Sequence, residues 1–183
     1  MKTESGSEPK FKTKTSAGAE PALMELFLDG LRDIFWAENH LVKTLPKMIQ
    51  SATSEKLVAA IQNHLTQTEE HVTRLKQAFD LLGEKAIAKK CDAMEGISKE
   101  GESIIESTDA GTATRDVGII LASQKVEHYE IATYGGLTQL AITLGLDDVA
   151  DLLTLTLSEE KEADELLTEI AENDVNYKAA DEA

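Results

Sequence analysis

The sequence predicts an all-α fold in which four long helices form a bundle, and three observations carry that prediction. Apolar residues recur at helical spacing through four long segments. Strand signals are missing: there is no alternating β-branched run, and aromatic residues make up 4% of the chain. The links within each half are short, whereas the central connection, EKAIAKKCDAMEGISKEGESIIESTDAG, takes roughly 28 residues.

The first segment runs from about Pro21 to Ala52 and repeats Leu23, Met24, Phe27, Leu28, Leu31, Phe35, Val42, Leu45 and Ile49. Pro21 suits a first helical turn, and Pro46 is expected to bend the helix or free the carbonyl of Val42. The second runs from Ser54 as N-cap through Ile61, Leu65, Val72, Leu75 and Phe79 to a stop at Gly83. The third starts at Thr112 or Thr114 and passes Ile119, Val126, Thr133 and Leu137 to Leu144 and Gly145. Asp147 is the expected N-cap of the fourth, which carries Val149, Leu153, Leu157, Leu167 and Ala171. In the central connection, Asp92 with Glu95 reads as a capping box, and Ile97, Ile104 and Ile105 give a short helix its apolar side. Two helix pairs joined by one long crossover is the wiring of a ferritin-like bundle. The expected organisation is a flexible polar tail over 1–20, the bundle over 21–178 and an acidic end over 179–183.

Composition narrows the function. The chain of 183 residues holds 34 Asp plus Glu against 18 Lys plus Arg, for a net charge of −16. A phosphate-covered partner is repelled at long range, so no nucleic acid and no anionic membrane is expected as partner. The acid is concentrated late, with ten acidic and two basic residues from Glu159 to Ala183. Cys91 is the only cysteine, expected as a small buried residue, and it fits a reducing compartment. No signal peptide and no apolar run near the ~18 residues of a membrane span is visible, so the expected location is cytoplasmic.

The informative test is which polar residues fall inside the apolar stripes, at about 100° per residue. Glu38 lies within roughly 40° of the stripe centre in the first helix. In the second, Thr68 is central, with His64 and His71 roughly 60° and 80° aside and Glu70 facing out. In the third, Glu130 sits about 40° from centre and Glu127 about 100°, at the edge, with His128 nearly opposite. In the fourth, Glu160 and Asp164 both fall roughly 20° from centre, whereas Glu159, Glu162 and Glu165 point toward solvent. Buried unpaired carboxylates would cost several kcal/mol each, against a net stability of roughly 5 to 15 kcal/mol. No basic residue is expected near these positions, since Arg32 and Lys43 face out. Metal ions held by carboxylate oxygen and imidazole nitrogen are the economical compensation, and two such ions are the known use of inward Glu and Glu-x-x-His residues in bundles. Tyr129 and Tyr134 are expected in the core or at an interface with a bonded hydroxyl, and Trp36 as a packing residue.

The stretches WAENHLVKTLPKM, HLTQTEEHVTRL, KCDAMEGI, QKVEHYEIATYG and LSEEKEADELLTEIAENDVN resemble the YciE/YciF family of bacterial ferritin-like stress proteins, over about residues 22 to 178. The resemblance implies a ferritin-like four-helix bundle, often a homodimer, with a dinuclear metal site and no settled activity. By similarity to rubrerythrin-type sites, Glu127 and Glu130 supply one bridging and one terminal carboxylate, with Glu38 and Glu160 matching the ligand positions of the first and fourth helices. Where the pattern has Glu-x-x-His, this chain has Thr68-x-x-His71, and Glu160 is followed by Ala163 and Asp164, so one bridging carboxylate is missing.

The expected metal ligands are therefore Glu38, His71, Glu127, Glu130, Glu160 and Asp164, holding two ions of iron or manganese. Their chemistry, if any, would be oxidation of Fe(II) by oxygen or peroxide, a ferroxidase or peroxide-consuming activity. The alternatives are a non-catalytic structural or interaction protein that keeps the bundle, and a mini-ferritin that stores iron. The small-sided stretch at Gly135 and Gly136 suggests a close helix approach in a dimer.

Overall fold

A computed structural model describes residues 21–182. The expected tail over 1–20 lies outside the described residues. Five helices of some length follow in order: α1 (Pro21–Ser51), α2 (Glu55–Leu81), α3 (Asp92–Ser107), α4 (Ala113–Leu144) and α5 (Asp147–Ile170). A π-helical turn, Ala171–Val175, then leads into the short α6 (Asn176–Ala180). There is no strand among the described residues, and no helix is long and apolar enough to cross a membrane.

Local chemistry sets most of the boundaries. Ser54 caps α2 by accepting from Leu57 N at 3.5 Å, and Thr112 caps α4 by accepting from Arg115 N at 3.2 Å. Gly145 ends α4 at φ +74°, a left-handed conformation that costs glycine little. Its neighbour's amide, Leu146 N, then reaches back to Ala141 O at 2.9 Å, satisfying a carbonyl the helix end would leave bare.

Two boundary expectations need correction. The cap of α3 is Cys91, whose Sγ accepts from Met94 N at 3.3 Å, and not the Asp92–Glu95 box. Asp92 is the first residue of the helix itself and stays exposed, while Glu95 pairs with Lys90 and Lys99. Asp147 is the first residue of α5 rather than its cap, and Leu146 precedes it with no side-chain bond. The acids Asp147 and Asp148 sit in the first turn, where the helix dipole favours negative charge. Helix α1 continues through Pro46, which has no N–H to donate to the carbonyl of Val42.

Helices α1, α2, α5 and α4 close a ring in which each packs on the next, with α3 laid against α4 and α1. The short links put α1 beside α2 and α4 beside α5, while the connection holding α3 carries the chain across. Phe27, Leu31, Ile34, Leu57, Leu75, Phe79, Ile119 and Leu153 fill the core. Asp116 ties the α1–α2 link to α4: its carboxylate accepts from Thr53 N and Ser54 N at 2.8 Å each and from Thr53 Oγ1 at 2.7 Å. At the same end of the bundle, Glu182 accepts from Thr114 N at 2.9 Å, at the start of α4.

Candidate metal centre

The ring of four helices points a set of polar side chains at one another. Glu38 comes from α1, His64 and His71 from α2, Glu127 and Glu130 from α4, and Glu160 from α5. All six are buried, four of them completely (Glu38, His71, Glu130 and Glu160). They form two groups whose ligand atoms lie within 4.8 Å of one another, His64/Glu127/Glu130/Glu160 and Glu38/His71/Glu160. Glu160 belongs to both.

Few of these atoms have a hydrogen-bonding partner. Glu38 Oε2, Glu127 Oε2, both oxygens of Glu130 and of Glu160, His71 Nδ1 and both ring nitrogens of His64 lack one. His71 Nδ1 lies 2.9 Å from Glu160 Oε1 and 3.4 Å from Glu38 Oε1, near enough for charge attraction but off the line of an N–H···O bond. His64 Nε2 is 3.5 Å from Glu127 Oε1 and 4.0 Å from Glu160 Oε2. So many donor atoms, buried and converging without partners, would be expensive for a purely structural core.

The electrostatics follow from that crowding. Burial, then the charge of Glu160, pushes the carboxyls of Glu127 and Glu130 well above the ordinary range. Burial lowers the imidazole of His64. Burial would lower His71 too, but its contacts with Glu160 and Glu38 outweigh this and push it up to about 10. Glu160 resists its own burial: the imidazoles of His71 and His64 hold it below the usual value.

A second layer holds the first in place. His71 Nε2 lies 2.9 Å from Glu159 Oε2, and Glu159 is paired with Arg74 through a bond of 2.9 Å from Nη2 and a second contact from Nη1. Arg74 holds the Glu159 carboxyl low despite burial, so Glu159 accepts and His71 Nε2–H donates. With Nε2 held in this way, Nδ1 faces Glu38 and Glu160, and it would present a lone pair there once a metal displaced its proton. Tyr134, fully buried, donates its hydroxyl to Glu38 Oε1.

The structure thus brings together five of the six residues expected as ligands, Glu38, His71, Glu127, Glu130 and Glu160, and does not bring in Asp164. One helical turn, about 6 Å, separates it from Glu160. Its carboxylate instead meets Gln124 Nε2 at 3.3 Å and His128 Nε2 at 3.4 Å. His64 takes a place sequence reasoning did not give it, and its position on the stripe edge was the only signal. The missing bridging carboxylate is accounted for differently as well: Thr68 donates to His64 O at 2.9 Å and offers nothing to the cluster but space.

Three further corrections concern the flanks. Glu159 is not a solvent residue, because α5 packs against α2 on that side. Arg74 is the basic residue that wheel geometry did not find, and it sits at the edge of the cluster with its side chain 14% exposed. Glu127, expected at a stripe edge, is 2% exposed because α4 is flanked by α1, α3 and α5 and buries a wider arc than one stripe. Elsewhere, Tyr129 donates to Asp33 Oδ2 at 2.6 Å and touches Cys91 Sγ at 3.1 Å.

Comparison with known proteins agrees with the all-helical fold. The family described as a domain of unknown function, DUF892, matches residues 22–180. The chain belongs to that family. It is 42% identical over 160 residues to protein YciF of Escherichia coli (strain K12), covering 87% of this chain and 96% of YciF. The crystal structure of the E. coli stress protein YciF superposes with a TM-score of 0.81 at 41% identity, covering 85% of this chain and 98% of that one. YcfI from Rhodopseudomonas palustris, described as a candidate structural protein, gives a TM-score of 0.77 at 40% identity, with 85% and 96% coverage. The fold is shared at 20% identity by a Xanthomonas campestris protein, with a TM-score of 0.67 and 86% and 97% coverage.

Proposed function

We propose that this DUF892 protein is a stress-associated dinuclear metal protein whose two ions, iron or manganese, share Glu160. One ion would take Glu38, His71 and Glu160; the other His64, Glu127, Glu130 and Glu160. The observation that carries this reading is the set of buried oxygen and nitrogen atoms without partners, contributed by all four bundle helices. Four carboxylates match the charge of two divalent cations when ionised, and carboxylate with imidazole is a donor set suited to iron or manganese. Bound there, the metals would supply Lewis acidity and, for iron, electron transfer to oxygen or peroxide.

The protein's own part is to prepare the donors. Arg74 and Glu159 fix the ring of His71, Tyr134 occupies one oxygen of Glu38 and leaves the other free, and the surrounding helices bury the donor side chains. The likeness to YciF, a stress protein of E. coli, supports placing such chemistry in a stress response.

The test is elemental analysis of protein purified without an affinity metal, beside a Glu38→Ala/Glu160→Ala variant shown by circular dichroism to be folded. Near two equivalents of iron or manganese, lost in the variant, supports the reading, and Fe(II) oxidation by oxygen or peroxide can then be followed by absorbance. No metal in either, even after anaerobic Fe(II) loading, would leave a structural bundle with a protonated polar network, in keeping with the description of the Rhodopseudomonas relative.

A homodimer belongs to the same proposal. A Cβ at Gly135 or Gly136 would have nothing within 4 Å, so a second copy could approach α4 closely there. Light scattering that shows an intact dimer after Gly135→Leu would refute that contact.

A further inference from the structure

The cluster has an entrance. A cleft of about 590 Å³, its open mouth included, descends between α2 and α5 to His64 and Glu127. Its walls are Leu45 and Met48 of α1, Ile61 of α2, Val126 of α4 and Leu167 of α5, all buried carbon-rich side chains. The polar lining consists of Asn63, Gln67 and Glu162, of Ser123, whose hydroxyl is turned to Met48 Sδ, and of His64 and Glu127. Asn63 and Glu162 are exposed at the mouth, and at the floor both ring nitrogens of His64 and Oε2 of Glu127 are buried without partners.

Such a channel selects by desolvation. A hydrated cation or an anion would have to shed its water against carbon before reaching the polar floor. A neutral molecule with an apolar body gains from the same walls. Met48 adds adaptability, since its unbranched thioether can repack around differently shaped guests. A shallower groove shares Ala60, Asn63 and Leu166 with the mouth and continues along α2 and α5 toward Lys56 and Asn173, leaving room for a longer chain.

We propose that this cleft binds an uncharged organic molecule with an apolar body and one oxygen-bearing end, the body against Leu45, Met48, Ile61 and Val126 and the oxygen at His64 and Glu127. In taking this molecule for the substrate the inference rests on the metal-site reading, and it replaces free iron with a neutral oxygenated organic compound as the site's substrate class. The binding step itself needs no metal.

Hexan-1-ol is a suitable probe, with hexanoate as its charged counterpart. Methyl-resolved NMR of the full metal-free chain should show saturable shifts at Met48, Ile61, Val126 and Leu167 with hexan-1-ol, and binding of hexanoate weaker by about tenfold or more. Ala163→Phe and Ala60→Phe narrow the cleft from α5 and from α2, and each folded variant should weaken hexan-1-ol by a similar factor. Shifts that do not saturate, that map elsewhere, or that persist unchanged in both variants would overturn the inference. Elemental analysis of the same samples separates the two readings. Metal uptake without hexan-1-ol binding sinks the cleft alone, whereas saturable binding in a protein that takes up no metal upholds the cleft and sinks the metal site.

Discussion

Chelated, metal-free protein should gain stability as the buffer is brought from about pH 7.5 to about pH 6.5, a direction opposite to that of a metal-loaded site. Three groups set the sign. His71 has a folded value of about 10 against 6.5 for the free side chain, so its stabilising contribution is complete below 6.5 and is lost as pH rises toward 10. Glu127 and Glu130 are raised well above 4.5, so no penalty exists below that pH, and one grows as the unfolded chain ionises and the folded one does not. Glu38, also raised by burial, acts in the same sense. Each proton held only by the folded state is worth about 1.4 kcal/mol per pH unit, so His71, Glu127 and Glu130 alone contribute up to about 4 kcal/mol across the window. His64, lowered by burial, opposes the trend once the unfolded chain protonates below 6.5, which is why the window stops there. With a urea slope of about 2 kcal/mol per molar, the midpoint should fall by up to about 2 M between the lower and the higher pH. The assay is urea unfolding followed by circular dichroism at both values, with and without bound metal. A chelated protein whose midpoint is flat or rises with pH would refute the reasoning, because the cluster would then hold ionised carboxylates without help.

Three other outcomes follow from the same contacts. Arg74→Gln removes the cation that holds Glu159 against His71 Nε2, and should weaken Mn(II) binding by about tenfold in calorimetry while leaving every ligand and the helix content in place. Asp116→Ala strips the acceptor from Thr53 and Ser54 and should destabilise the fold by about 2–4 kcal/mol in thermal or chemical unfolding, with metal content per folded protein unchanged. Gly118→Ala places a Cβ 2.3 Å from Ile104 Cγ2, where α3 presses on α4, and should cost about 1–3 kcal/mol; a double variant with Ile104→Ala should recover part of that loss.

Much of the architecture was legible because its causes are local. The apolar period marked the long helices to within a residue or two, and Ser54, Thr112 and Gly145 marked ends whose bonds are made within a few residues. Where local signals compete, the reading went wrong by small steps. Cys91 caps α3 in place of the Asp92–Glu95 box because its side chain already reaches Met94 N, and a thiol carries no strong capping signature in a sequence.

Within the candidate site, the sequence by itself determined that Glu38, Glu130 and Glu160 lie on buried faces, because a single helix fixes the direction of its own side chains. It could not determine what those faces meet. That Glu127 is buried, that His64 joins it, that Asp164 turns toward Gln124 and His128, and that Arg74 reaches Glu159 across 85 residues of chain were decided by the tertiary structure alone. Wheel angles describe one helix in isolation, whereas the width of a buried arc and the partner of a flank residue depend on how many neighbours each helix has and on which sides. In this bundle α4 has neighbours on several sides and α5 has α2 and α4, and those packings turn stripe-edge residues into the walls and supports of a shared site.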